Sequence, residues 1–152
     1  MNVDIEQGLS GYIDLLCERA RKAAKIISNA SLQDKNRALH AMAEAIKDSE
    51  KQILDANAKD ISCAASLDPS LLDRLTLNAK RIDAMAKGII EVASLPDCIG
   101  EITDLSYRPS GIQVGKMRVP IGVVAVIYES RPNVTADVAS LCLKSGNAVI
   151  LK

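Results

Sequence analysis

The sequence predicts an α/β chain built from a helical layer, then a β-hairpin, then one βαβ unit. Three observations carry this. Apolar residues recur at three- and four-residue spacing up to about Pro96, the period of a helix with one buried face. From Gly100 the alternation shortens to every second residue, as in a strand with one covered face. Beyond Pro120 the chain reads as apolar run, polar loop, helical stripe, glycine turn and second apolar run. These changes of period divide the chain into a helical part over 1–99, hairpin and linker strands over 100–120, and the start of a βαβ core over 121–152.

Within the helical part, Ile13, Leu16, Cys17, Ala20, Ala24 and Ile27 share one face of a first helix that breaks at Ser28-Asn29-Ala30. Ser31 followed by Asp34 is a capping-box arrangement, and Leu32, Leu39, Met42, Ala43 and Ile46 form the next stripe. The single histidine, His40, lies beside that stripe and is read as a surface or boundary residue, since no nucleophile is visibly paired with it. A third helix is expected from about Glu50 to Cys63. Asp68-Pro69 opens a short one, because proline suits the first helical position after an aspartate cap. Asn78 to Ala93 is helical again, with Ile82, Met85, Ala86, Ile89 and Ile90 on one side and Pro96 ending it. Gly88 inside that helix has no evident reason in the sequence.

Glu101 to Tyr107 alternates polar and apolar residues as a half-buried strand does. Pro109-Ser110-Gly111 is turn chemistry, and Ile112, Val114 and Met117 begin a return strand. Ile121 to Tyr128 is a β-branched run without alternation, the pattern of a strand covered on both faces. After the loop Glu129-Ser130-Arg131-Pro132-Asn133, residues Val134, Val138, Leu141 and Cys142 make a helical stripe. Ser145-Gly146-Asn147 stops it, and Ala148 to Leu151 is the second buried strand.

Charge and composition narrow the function classes. Lys+Arg and Asp+Glu both number 19, so no net field draws the chain to nucleic acid or a membrane surface. Three tyrosines, with no Phe or Trp, leave no platform for stacking bases. The start of the sequence has neither the basic nor the apolar region of a secretion signal, and no run reaches the ~20 apolar residues of a membrane span. A cytoplasmic protein is expected. Cys17, Cys63, Cys98 and Cys142 form no CxxC and no cluster with histidine, so they are expected to be reduced cysteines packed as small apolar groups, with no metal site.

In parallel sheets ligands bind beyond the carboxyl ends of the strands. Two loci therefore matter: Tyr128 to Asn133 after the first strand, and Lys152 after the second. The first contains no GxGxxG, so a pyrophosphate held at a glycine-rich turn is not the expected mode. The second carries an ammonium where NAD-binding units commonly place a carboxylate for the ribose hydroxyls, which favours a 2′-phosphate and hence NADP(H). The plain alternative for Lys152 is a solvent-facing residue at a strand end. Arg131 is suited to clamp a phosphate or a carboxylate, with an ion pair to Glu129 or Asp137 as its ordinary alternative.

The run from Arg118 through Pro120, Tyr128-Glu129-Ser130-Arg131-Pro132-Asn133 and Thr135 closely resembles the signature of γ-glutamyl phosphate reductases, and so does Asp137 to Leu151. The likeness extends upstream through Asp73-Arg74-Leu75-Thr76-Leu77 and Leu95-Pro96-Asp97, and loosely to Asp34-Lys35-Asn36-Arg37. It implies the aldehyde dehydrogenase superfamily, with a Rossmann-like cofactor domain, a catalytic domain bearing a nucleophilic cysteine, and a hairpin used in contacts between subunits of a homo-oligomer. The implied reaction is NADPH-dependent reduction of γ-glutamyl phosphate to glutamate 5-semialdehyde in proline synthesis.

On this chain the resemblance implies that Ile127, Tyr128 and Glu129 line the cofactor groove, mostly through backbone, and that Lys152 contacts the adenosine ribose. Asn133 falls where the superfamily places an oxyanion-stabilising asparagine, in a loop that looks shorter than in ordinary aldehyde dehydrogenases. Arg131 becomes a candidate for the substrate. The nucleophilic cysteine is implied to lie beyond residue 152; Cys142, mid-helix on the apparent core face, is rejected as a substitute. Two alternatives stay open: another NAD(P)-dependent acyl or aldehyde oxidoreductase of the superfamily, against which the Tyr128 to Asn133 loop argues, and a non-catalytic module that packs on another chain.

Overall fold

The computed structural model describes the backbone of residues 2–64 and 66–152, and the side-chain surroundings of residues 10–64 and 66–152. Five helices come first: α1 (Asn2–Ile27), α2 (Leu32–Asp48), α3 (Glu50–Cys63), α4 (Pro69–Leu75) and α5 (Ala79–Ser94). The hairpin β1 (Ile102–Tyr107) and β2 (Gln113–Met117) follows, then β3 (Val123–Val126), α6 (Pro132–Lys144) and β4 (Ala148–Leu151). The predicted order is the observed one.

The helix starts are set by caps that local sequence supplies. The Ser31 hydroxyl accepts from the Asp34 N–H at 3.1 Å and donates to its carboxylate at 2.7 Å. Asp68 accepts from the Ser70 N–H, and Asn78 from the Arg81 N–H. Each cap satisfies a first-turn donor that the helix itself cannot. The core then forms where α2, α5 and α6 meet: Leu39, Ala43, Met85, Ala86, Ile89, Ala93 and Ala136 make one buried cluster. Many of these residues are small, and small residues let helix axes approach closely. Gly88 on α5 needs no special account, because a Cβ there would lie 4.0 Å from Asp137 Oδ1, an ordinary contact.

β3 and β4 pair in parallel, with Val123 opposite Ala148 and Val126 opposite Leu151. The return from α6 to β4 is fixed at its turn. Gly146 has φ +74°, its N–H donates to the Leu143 carbonyl, and the Asn147 N–H donates to the Cys142 carbonyl at 2.8 Å. That is the paired hydrogen-bond pattern of a Schellman cap, for which glycine is the unstrained choice. A side chain at Gly146 would also meet Pro120 Cγ at 2.9 Å. Asn147, buried, adds a bond the sequence did not suggest: its Oδ1 accepts from the Gly122 N–H at 2.7 Å, tying the helix exit to the entrance of β3.

Four expectations are corrected. Glu101 to Tyr107 does not alternate throughout, because Asp104 and Leu105 together face Gly115 in a bulge and Asp104 takes φ +54°. Aspartate tolerates that left-handed conformation better than most residues. A Cβ at Gly115 would sit 2.9 Å from Leu105 Cδ1 and 3.2 Å from the Thr103 carbonyl oxygen, so a larger residue there would require those neighbours to shift. Nor is the hairpin half-buried: every residue of β1 and β2 is exposed. The β-branched run also makes only a four-residue strand, half-buried rather than covered on both faces, with Ile121 and Ile127 outside it and exposed. Finally, Cys63 and Cys98 are exposed, and Cys142 is the buried one; all four thiols are free. His40 is exposed, as expected. Ile13, Leu32 and Ile90, placed on helix stripes, lie at their exposed margins. Among the described residues, no helix is long and apolar enough to cross a membrane.

Candidate active site

The two strand ends that the sequence marks lie side by side. The Tyr128 N–H donates to the Lys152 carbonyl at 2.9 Å, and the Lys152 N–H donates to the Val126 carbonyl at 3.0 Å. The parallel ladder thus runs one step past each strand and aligns Ile127, Tyr128 and Glu129 with Lys152 along one edge. Ile127, Glu129 and Lys152 are exposed there. Tyr128 is half-buried, and its hydroxyl is hydrogen-bonded to Thr135 Oγ1 across the loop.

From that edge the chain turns sharply into α6. Ser130 has φ +51°, a left-handed conformation unusual for serine that reverses the chain direction. Arg131 occupies the cap position without a side-chain cap bond, and Pro132 sets the first helical residue. The first turn of α6 therefore keeps donor groups that no side chain satisfies, at the positive end of the helix. At the second helical position, Asn133 Nδ2 donates to Asp137 Oδ2, one turn further on, at 3.0 Å. This contact fixes the orientation of the amide and leaves its second N–H free.

Arg131 and Asn133 come together in a cleft of about 470 Å³, whose walls also include Asp73, Arg74, Leu77, Arg81 and Asp137. The ordinary reading of Arg131 is not what the structure shows: among the described residues it forms no ion pair with Glu129 or Asp137. The opposite wall, from α4 and α5, is held by residues that sequence reasoning missed. Buried Asn57 on α3 donates to the Leu75 carbonyl at 2.8 Å and accepts from the Leu77 N–H at 2.7 Å. Arg81 pairs with Asp73 Oδ1 at 2.9 Å and also reaches the backbone carbonyls of Asp73 and Thr76. No periodicity marks these contacts, because each joins segments that only the fold brings together.

Searched against protein-family models, the sequence matches none. Solved structures are more informative. Over 88% of its length the chain is 43% identical to the γ-glutamyl phosphate reductase of Thermotoga maritima, with a TM-score of 0.83. It covers 89% of itself on the Saccharomyces cerevisiae enzyme of the same name, at 36% identity and a TM-score of 0.84. The chain is thus similar to part of the γ-glutamyl phosphate reductases. It spans about a third of the length of those proteins, 33% of the first and 35% of the second.

The four thiols do not enter the cleft just described. Cys142 lies on the core side of α6, and burial pushes its pKa up, so it is a poor source of thiolate. At the carboxyl ends of α5 and α6, away from the cleft, is a buried polar cluster that the sequence also hid. Lys35 Nζ pairs with Asp97 Oδ2 at 2.6 Å, and Lys144 Nζ donates to Asn36 Oδ1 at 2.7 Å and to the Ala93 carbonyl at 2.8 Å. Lys35 and Lys144 are 3% and 5% exposed, so both ammonium groups depend on these partners. The cluster pins the carboxyl end of α6 to α2 and to the exit of α5.

Proposed function

We propose that this chain supplies part of the cofactor and substrate sites of an NADPH-dependent reductase that converts L-glutamyl 5-phosphate to L-glutamate 5-semialdehyde and phosphate, a step of proline synthesis. What carries this reading is the meeting of Arg131 and Asn133 in one cleft beyond the end of β3, in a chain with this family likeness. A guanidinium in no ion pair suits a phosphoryl group, and a primary amide oriented by Asp137 suits an acyl oxygen that gains negative charge.

The strand-end edge fits a phosphorylated dinucleotide. It offers an exposed apolar side chain in Ile127, backbone through Tyr128 and Glu129, and the exposed ammonium of Lys152 for a 2′-phosphate. When bound, NADPH supplies the hydride for reduction. Lys152 binds, Arg131 neutralises the departing phosphate, and Asn133 donates a hydrogen bond to the oxygen of the reacting carbonyl. The reading places these events in the cytoplasm and takes residues 1–99 and 121–152 as parts of one cofactor-binding unit.

Two measurements test it. A polypeptide extended to the length of the family should oxidise NADPH with γ-glutamyl phosphate and discriminate against simple aldehydes. Residues 1–152 alone should not, since no thiolate lines the cleft. Turnover by the short chain, or preference of the long one for simple aldehydes, overturns the assignment.

The uncovered hairpin is assigned to a contact with a second copy of the protein. The register and bulge place Ile102, Leu105, Tyr107 and Met117 on one face, and all four are exposed. An apolar face of this kind is unusual on a free surface. Leu105→Glu is expected to shift the sedimentation of the protein toward monomer; an unchanged sedimentation coefficient counts against the contact.

A further inference from the structure

We propose that Arg74 binds the α-carboxylate at the amino-acid end of the substrate, making the α4–α5 turn the specificity wall of the cleft. This rests on the functional reading above and adds a residue to it.

Three guanidinium groups line the cleft, from Arg74, Arg81 and Arg131. Arg81 is committed to Asp73 and to the carbonyls of Asp73 and Thr76. Arg74, like Arg131, takes part in no ion pair among the described residues. The backbone that carries Arg74 is held by side-chain hydrogen bonds. α4 is seven residues long and has no buried residue, so apolar packing anchors it weakly. Its exit is held instead by both polar groups of Asn57 and by Arg81. A fixed backbone that presents an uncommitted guanidinium to a cleft is a preorganised anion site.

The division of labour between the two free arginines follows from where each stands. Arg131 is two residues before Asn133, on the turn that enters α6, so the anion it holds lies next to the reacting carbonyl. In an acyl phosphate that anion is the phosphoryl group. The α-carboxylate sits at the other end of the five-carbon chain and needs its donor from the facing wall. Arg74 is the uncommitted cation of that wall.

The reaction run in reverse separates the two sites, because semialdehyde and phosphate are then separate substrates. In the full-length enzyme, Arg74→Gln is expected to raise KM for L-glutamate 5-semialdehyde roughly 10- to 100-fold, as loss of a charge-assisted hydrogen-bond pair should. KM for phosphate and kcat should stay near wild type. With butanal, which lacks the α-carboxylate, Arg74→Gln and wild type should perform alike. Arg74→Lys should recover part of the loss, and Arg131→Gln should raise KM for phosphate instead. Circular dichroism of Arg74→Gln should match wild type, since the side chain joins no ion pair in the fold. An unchanged semialdehyde KM in Arg74→Gln, with wild type active on that substrate, overturns the role of Arg74 and leaves the functional reading standing. A raised phosphate KM in that variant does the same. Wild-type enzyme inactive on the semialdehyde removes the functional reading, and this inference with it.

Discussion

Asp97→Ala is expected to destabilise the protein by about 3 kcal/mol, the low end for a broken buried ion pair because the carboxylate keeps some contact with water. The pair is Lys35 Nζ to Asp97 Oδ2 at 2.6 Å, with side chains 3% and 22% exposed. Removing Asp97 strands the Lys35 ammonium in the interior, and takes with it the acceptor that holds the Ile99 N–H at 3.0 Å. Lys35→Met should cost less. Asp97 would still reach water and the Ile99 N–H, with Lys144 nearby, while methionine fills the lysine stem's volume. Urea unfolding of the two variants checks this asymmetry; equal losses, or a larger one for Lys35→Met, would contradict the burial argument.

The same cluster sets the sign of the pH dependence. Burial pushes the Asp97 carboxyl up, but the hydrogen bonds from Lys35 and Ile99 and the charges of Lys35 and Lys144 outweigh it and hold the group below its ordinary value of 3.8. Between the lowered folded value and the unfolded one, the unfolded chain binds more protons. The contribution of Asp97 is therefore complete above about pH 4 and lost as pH falls through the folded value. Lys144 acts at the other end. Burial draws its pKa down from 10.5, against the pull of Asp97, so deprotonation relieves a cost and stability from this group rises as pH climbs toward that value. In Asp97→Ala the acid limb should flatten.

What could be read in the sequence was what neighbouring residues decide. Ser31 and Asp68 announced their helices because a cap bonds to an N–H two or three positions away. Gly146 announced the end of α6 for the same reason, and the parallel pair followed from two apolar runs on either side of that helix. What was hidden depends on partners distant in sequence. Lys35, Asn57 and Lys144 are residue types that normally face water, and nothing local says that Asp97, Leu75 or Ala93 will meet them. The hairpin marks a different limit. Its alternating pattern does encode an apolar face, but the surface that would cover it is not in these residues. The site was half legible: the loop wall of Arg131 and Asn133 is contiguous in sequence, whereas the wall of Arg74 and Arg81 belongs to another part of the chain.

That contiguous wall carries the second large effect. On the proposed function, Asn133→Ala is expected to lower kcat for γ-glutamyl phosphate reduction about 100- to 1000-fold, the range seen when one donor to a developing oxyanion is removed. KM should change little, because the amide is worth most in the transition state, where the carbonyl oxygen bears charge. The bond to Asp137 gives the argument a second handle. Asn133 Nδ2 lies 3.0 Å from Asp137 Oδ2, so the carboxylate holds the NH2 end of the amide in place. Without that acceptor the amide can rotate, and part of the time it would turn its own oxygen toward the substrate oxygen. Asp137→Ala should therefore lower kcat by about tenfold, a single hydrogen bond's worth of orientation. In the Asn133→Ala background the same change should have almost no further effect, since there is no amide left to orient. Additive losses in the double variant would mean that Asp137 acts on its own. A kcat unmoved by Asn133→Ala would reduce the pair to an ordinary contact one helical turn apart, and would leave the oxyanion without a donor from this chain's side chains.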